Sequence, residues 1–211
     1  MTRSISSMVK EIEPSATLSL KEEVNSLEKQ YGLKIVDLTA GEPDTGPTED
    51  VLAALLDGGK LHKYGPVQGD PEVREILSGV INEEIGVRYN PQDIAVTVGA
   101  KGGIDILMRV LLNPGEGVAI MTPFWVTYPE SVKMAQGVPC CLEPDGNLRP
   151  ALEKLREEVE AKNIKVLLYS SPCNPSGVVY TKDELEEIAK VVKEKPVWQW
   201  SSQIRGSGQK W

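Results

Sequence analysis

Positive charge is scarce in this chain, and so are the residues that build metal or redox centres. Lys and Arg number 23 against 31 Asp and Glu, a net charge of −8 at neutral pH. That balance argues against nucleic acid or an anionic membrane as partner, because both need a basic face. One histidine, His62, and three cysteines, with Cys140 and Cys141 adjacent, supply neither a disulfide framework nor zinc-ligand spacing. No apolar run approaches the roughly 20 residues of a membrane-spanning helix. The opening "MTRSISSMVKEIEPS" lacks the apolar region of a signal peptide. The expected setting is therefore cytoplasmic, with reduced thiols.

Charged helical stretches alternate with short apolar runs. "SLKEEVNSLEKQYG" opens with Ser19 and Glu22 in capping-box spacing and stops at Gly32. "DPEVREILSGVINEEIG" offers Asp70 as N-cap and Pro71 at the first helical position. It carries an apolar stripe of Val73, Ile76, Leu77, Val80, Ile81 and Ile85, and Gly86 ends it. "TKDELEEIAKVVKEK" repeats the device with Thr181 and Glu184, and turns Leu185, Ile188 and Val192 inward. "DIAVTVG", "GVAIMTP" and "KVLLYSSP" read as strands buried on both faces. Their alternation with helices predicts βαβ units on a parallel sheet.

Ligands of such sheets sit at the carboxyl ends of the strands, which makes the loops there the candidate site. In "GAKGG", Gly99 permits a tight turn that leaves helix N-terminal N–H groups facing an anion; a plain strand-to-helix turn is the simpler reading. "TPFWVTYP" puts Trp125 just past a strand, as a ring for stacking on a flat ligand or as core. In "SPCNPSG", Pro172 and Pro175 fix the backbone around Asn174, and Gly177 frees it.

Six stretches in order, "PSATL", "LTAGEPD", "YGPVQGDPEVRE", "VTVGAKGG", "TPFWVTYPE" and "NPSGVVYTKDEL", together resemble the class I/II aminotransferases of the fold-type I pyridoxal-phosphate family. The resemblance runs from about Ser15 to Val197 and is closest to the aspartate aminotransferase-like branch. It implies an α/β fold of the PLP-dependent transferase type, mostly parallel sheet with flanking helices, present in part. It implies pyridoxal 5'-phosphate as cofactor, an amino acid and a 2-oxo acid as substrates, and a homodimer. Gly99, Ala100 and Lys101 would hold the cofactor phosphate, Trp125 would stack on the pyridine ring, and Asn174 would bond its phenolic oxygen. Tyr64 would reach the phosphate in the other subunit, and Gly41 would lie against the substrate α-carboxylate. Taken without the resemblance, Tyr64 and Gly41 read as ordinary turn residues.

Two family elements are missing: a carboxylate for the pyridine nitrogen and the Schiff-base lysine, so no catalytic residue is assigned. Two S-x-x-K strings, Ser7 to Lys10 and Ser207 to Lys210, have none of the companion motifs of serine acylation. The expected organisation is an arm and the start of a small domain over 1–45, a partial large domain over 46–197, and a non-family tail over 198–211, disordered or frame-shifted. That tail holds three of the four tryptophans and no acidic residue. A frame error shortly after Val197 would account for it, since one shifted frame permits Val-Ile-Ser-Asp there. The expectation is an aminotransferase half that is inactive alone. The rivals are a non-catalytic anion-binding protein, a small enzyme using another lysine, and a tail that docks a partner.

Overall fold

A computed structural model describes residues 4–38, 41, 45–58, 63–86, 88–195 and 197–202. They fall into two compact units, one within 1–15 and 99–209, the other within 16–98. This division at 98/99 differs from the cut at 45/46 expected from the sequence.

The first unit holds a four-stranded parallel sheet in the order β2-β1-β3-β4. Its strands are β1 (Gly117–Met121), β2 (Val138–Leu142), β3 (Ile164–Ser170) and β4 (Trp198–Ser202). The helices of this unit are α1 (Ser7–Lys10), α5 (Gly99–Leu111), α6 (Thr127–Met134), α7 (Leu152–Ala161) and α8 (Lys182–Glu194). All of β1 is buried, as its unbroken apolar run requires. On one face Ile104 and Met108 of α5 and Tyr128 and Val132 of α6 pack against Val118, Ile120, Val166 and Leu168. On the other, Leu155 and Val159 of α7 and Ile188 and Val191 of α8 pack against Ala119, Leu167 and Tyr169. Each fully buried branched side chain contributes about 1.5–3 kcal/mol.

The second unit carries α2 (Ala16–Tyr31), α3 (Glu49–Leu56) and α4 (Pro71–Ile85). The α4 caps match the sequence reading: the Asp70 carboxylate accepts from the N–H groups of Glu72 and Val73, and Gly86 closes the helix. Helix α2 starts at Ala16, a turn before Ser19, because nothing in "ATL" opposes helix. The α8 capping box of Thr181 and Glu184 is formed, with Ile188 buried and Leu185 and Val192 packed against the same core.

Two expectations need correction, and one strand is added. Residues 94–97 of "DIAVTVG" form no strand. No ladder partner stands beside them among the described residues, and Val96 N–H instead donates to the Gln68 carbonyl at 3.0 Å. Strand β2, which the sequence reading does not include, carries Pro139 and lies at the sheet edge, where a missing N–H is tolerated. Trp198–Ser202, expected to be irregular tail, is β4, paired with β3 from Val166↔Trp198 to Ser170↔Ser202. A buried neighbouring strand with unfilled backbone groups outweighs the polar composition of "WQWSS". His62 and residues 203–211 lie outside the described residues.

Candidate functional site

The sheet order creates a crevice between the carboxyl ends of β1 and β3. The chain leaves β1 through α6 toward β2 and leaves β3 through α8 toward β4, with these helices on opposite faces. Adjacent strands whose connections diverge in this way cannot have their ends covered by one helix. A pocket of about 240 Å³ opens there, lined by Trp125 and Tyr128 after β1 and by Ser170, Cys173, Asn174 and Gly177 at the end of β3 and beyond, together with Pro172 and Pro175. The volume lies below the roughly 300–1,000 Å³ of sites for drug-sized ligands, so it suits a single ring.

Each loop is held from several sides. The Thr122 hydroxyl donates to the Leu142 carbonyl at 2.8 Å, fixing the exit from β1. Trp125 and Tyr128 meet edge to face, with centroids 6.1 Å apart at 82°, a contact worth about 0.5–1.5 kcal/mol beyond burial. In the second loop, Asn174 N–H donates to the Ser170 hydroxyl at 3.2 Å. Cys173 N–H donates to the Val178 carbonyl at 2.8 Å and Gly177 N–H to the Cys173 carbonyl at 2.7 Å. The turn needs the positive φ of 72° that Gly177 supplies. The Cys173 thiol donates to the Pro123 carbonyl at 3.1 Å and so ties the two loops together.

Gly99, at a φ of +70°, begins α5, so Gly99, Ala100 and Lys101 form its first turn rather than a loop before it. The first N–H groups of a helix have no intrahelical acceptor and attract anions. The Lys101 ammonium lies 5.4 Å from the Trp125 ring centroid and adds positive charge at the pocket aromatic.

Of the expected site residues, Trp125 and Asn174 share the pocket, and Lys101 touches Trp125. Gly99 and Ala100 are not in its lining. Tyr64 is fully exposed and Gly41 is exposed, both in the other unit. Tyr128, Ser170 and Cys173 were not singled out from the sequence. Tyr128 lies in the "TPFWVTYP" stretch, read there only for Trp125, and Ser170 in the run read as strand; Cys173, between Pro172 and Asn174, offers the one detectable signal. Burial raises the Cys140 and Cys141 thiols above their ordinary range, the reverse of an activated nucleophile. Among the described residues no cluster of metal-ligating side chains occurs, and no helix is long and apolar enough to cross a membrane.

The sequence profile "Aminotransferase class I and II" matches residues 34–200, reaching three residues into β4. An aspartate aminotransferase of Bacillus sp. (strain YM-2) is 35% identical over 208 residues, covering 97% of this chain and 53% of that protein. An aspartate/prephenate aminotransferase of Thermus thermophilus is 37% identical over 207 residues, covering 96% and 53%. The structure of the Thermus thermophilus aspartate aminotransferase with maleate superposes with a TM-score of 0.86 at 35% identity, covering 95% of this chain and 53% of that one. The chain thus spans about half the length of the curated relatives it matches. With the crevice and its two loops in place on a parallel sheet, the chain belongs to the class I and II aminotransferases.

Proposed function

We propose that this chain carries the ring- and phosphate-holding part of a pyridoxal 5'-phosphate site, in an aminotransferase moving an amino group from an amino acid to a 2-oxo acid. One observation carries the reading: the pocket between β1 and β3 brings Trp125 and Asn174 onto one small cavity. Its size and its donors fit the cofactor. Trp125 offers a ring face, the Asn174 amide offers a donor for a phenolic oxygen, and the α5 N-terminus with Lys101 offers positive potential for a phosphate. Tyr128, Pro172 and Pro175 add apolar surface to the pocket lining. The bound group supplies an electron sink for bonds at the amino acid α-carbon.

Among the described residues no lysine or carboxylate lines the pocket. These residues therefore contribute binding and orientation rather than proton transfer, and we expect no amino transfer from this chain alone. Gly41 against the substrate carboxylate, Tyr64 reaching a partner subunit's phosphate, a homodimer and a cytoplasmic location belong to the same reading.

The test is a titration with pyridoxal phosphate followed by tryptophan fluorescence. The expected result is saturable quenching, competed by inorganic phosphate and weakened about tenfold in Asn174→Ala, the cost of one hydrogen bond to a polar group. After borohydride, no single lysine should be labelled stoichiometrically. Unsaturable quenching, equal affinity in the variant, or full labelling of one lysine with transfer to an oxo acid would overturn the reading.

A further inference from the structure

Most ion pairs in the first unit lie within one helix, such as Arg109 with Asp105 and Lys162 with Glu158. Arg149 differs. It leaves the β2–α7 connection, where the Asp145 N–H donates to its carbonyl at 3.1 Å, and it grips residues 30 and 35 positions away. Its Nε donates to Glu184 Oε1 at 2.7 Å and its second terminal nitrogen donates to Glu184 Oε2. The remaining nitrogen donates to the Val179 carbonyl at 3.2 Å. The guanidinium also sits 6.0 Å from the ring centre of Tyr180, which is buried and stacked on Tyr169 of β3 at 5.8 Å.

These contacts fall on the exit of the Asn174 loop. The loop enters from β3, where the sheet ladder fixes it. Its exit has no ladder. It consists of Val178–Tyr180 and then the α8 cap, where Glu184 accepts from Thr181 N–H at 2.7 Å. Two internal braces make the loop a rigid piece: Tyr180 N–H to the Ser171 hydroxyl at 2.9 Å, and Cys173 N–H to the Val178 carbonyl. The Cys173 thiol steadies the start of the loop on the Pro123 carbonyl, so the placement of its far end depends on what holds Val179 and Tyr180. We infer that Arg149 is a positioning residue, clamping the exit of this loop to the first turn of α8 and so fixing Asn174 against the pocket. The inference rests on the functional reading above. A planar fork with three bonds suits arginine; an ammonium cannot reproduce it.

Hydrogen exchange of the full chain, with and without pyridoxal phosphate, tests this. In Arg149→Ala the Cys173 and Gly177 amides should exchange about tenfold faster, the loss expected for a charge-assisted bond, while β1 amides keep their rates. Pyridoxal phosphate affinity should fall by a similar factor, and Arg149→Lys should lie between. Unchanged loop exchange, an equal rise in β1, or a looser loop with unaltered affinity would each overturn the inference. If the unaltered chain binds no pyridoxal phosphate, the functional reading fails instead, and the clamp stands or falls on exchange alone.

Discussion

Gly99 shows how much a single backbone position settles here. Its φ of +70° costs an L side chain about 1–2 kcal/mol, and a Cβ there would meet nothing within 4 Å. Gly99→Ala therefore isolates backbone strain from steric clash. The expected outcome is a loss of about 1–2 kcal/mol in stability by denaturant titration, with weakened phosphate affinity as the first turn of α5 shifts. A variant as stable as the parent would show that the left-handed turn is dispensable. Residues of this kind were legible from the sequence because glycine and proline act through the backbone. Gly99, Pro172, Pro175 and Gly177 each announce a local constraint. Arg149 was not legible, since its partners lie 30 and 35 residues away and nothing in "GNLRPAL" points to them. Tyr128 was equally silent, because a buried helix tyrosine has the same sequence context whether it borders a pocket or a core.

At the scale of elements, caps were readable and strand partners were not. Asp70 for α4 and the Thr181–Glu184 box for α8 are short-range devices, complete within four residues. A strand exists only when another offers it a ladder, which is why 94–97 forms none while "WQWSS" does. The α8 cap gives a pH prediction. The Arg149 guanidinium, helped by bonds from Thr181, holds the Glu184 carboxyl down at about 2, against an ordinary value of 4.5. A carboxyl whose pKa falls on folding binds fewer protons folded than unfolded. Its stabilisation is thus whole above about 4.5 and is lost as pH falls through about 2. Across that window the unaltered chain should lose more stability than Glu184→Gln, measured by thermal melts at stepped pH. Parallel curves would mean that the pair contributes nothing.

For the whole molecule, the two units differ in how completely they are buried. The unit with the sheet has a core on each face. Among the described residues of 16–98 only Ser78 is buried, and Val73, Ile76, Leu77 and Val80 of the α4 stripe stand exposed. Sequence periodicity identified that stripe correctly as apolar but carries no information on what covers it. The α/β class and the parallel sheet were legible in the alternation of runs, because a strand buried on both faces must be apolar throughout. The crevice was not, since it depends on strand order. Whether this crevice receives pyridoxal phosphate is decided by a crystal structure of the chain soaked with the cofactor. The expected result is the ring against Trp125, its phenolic oxygen at the Asn174 amide and the phosphate at the first turn of α5. A cofactor bound elsewhere, or a crevice left empty at saturating concentration, would contradict it.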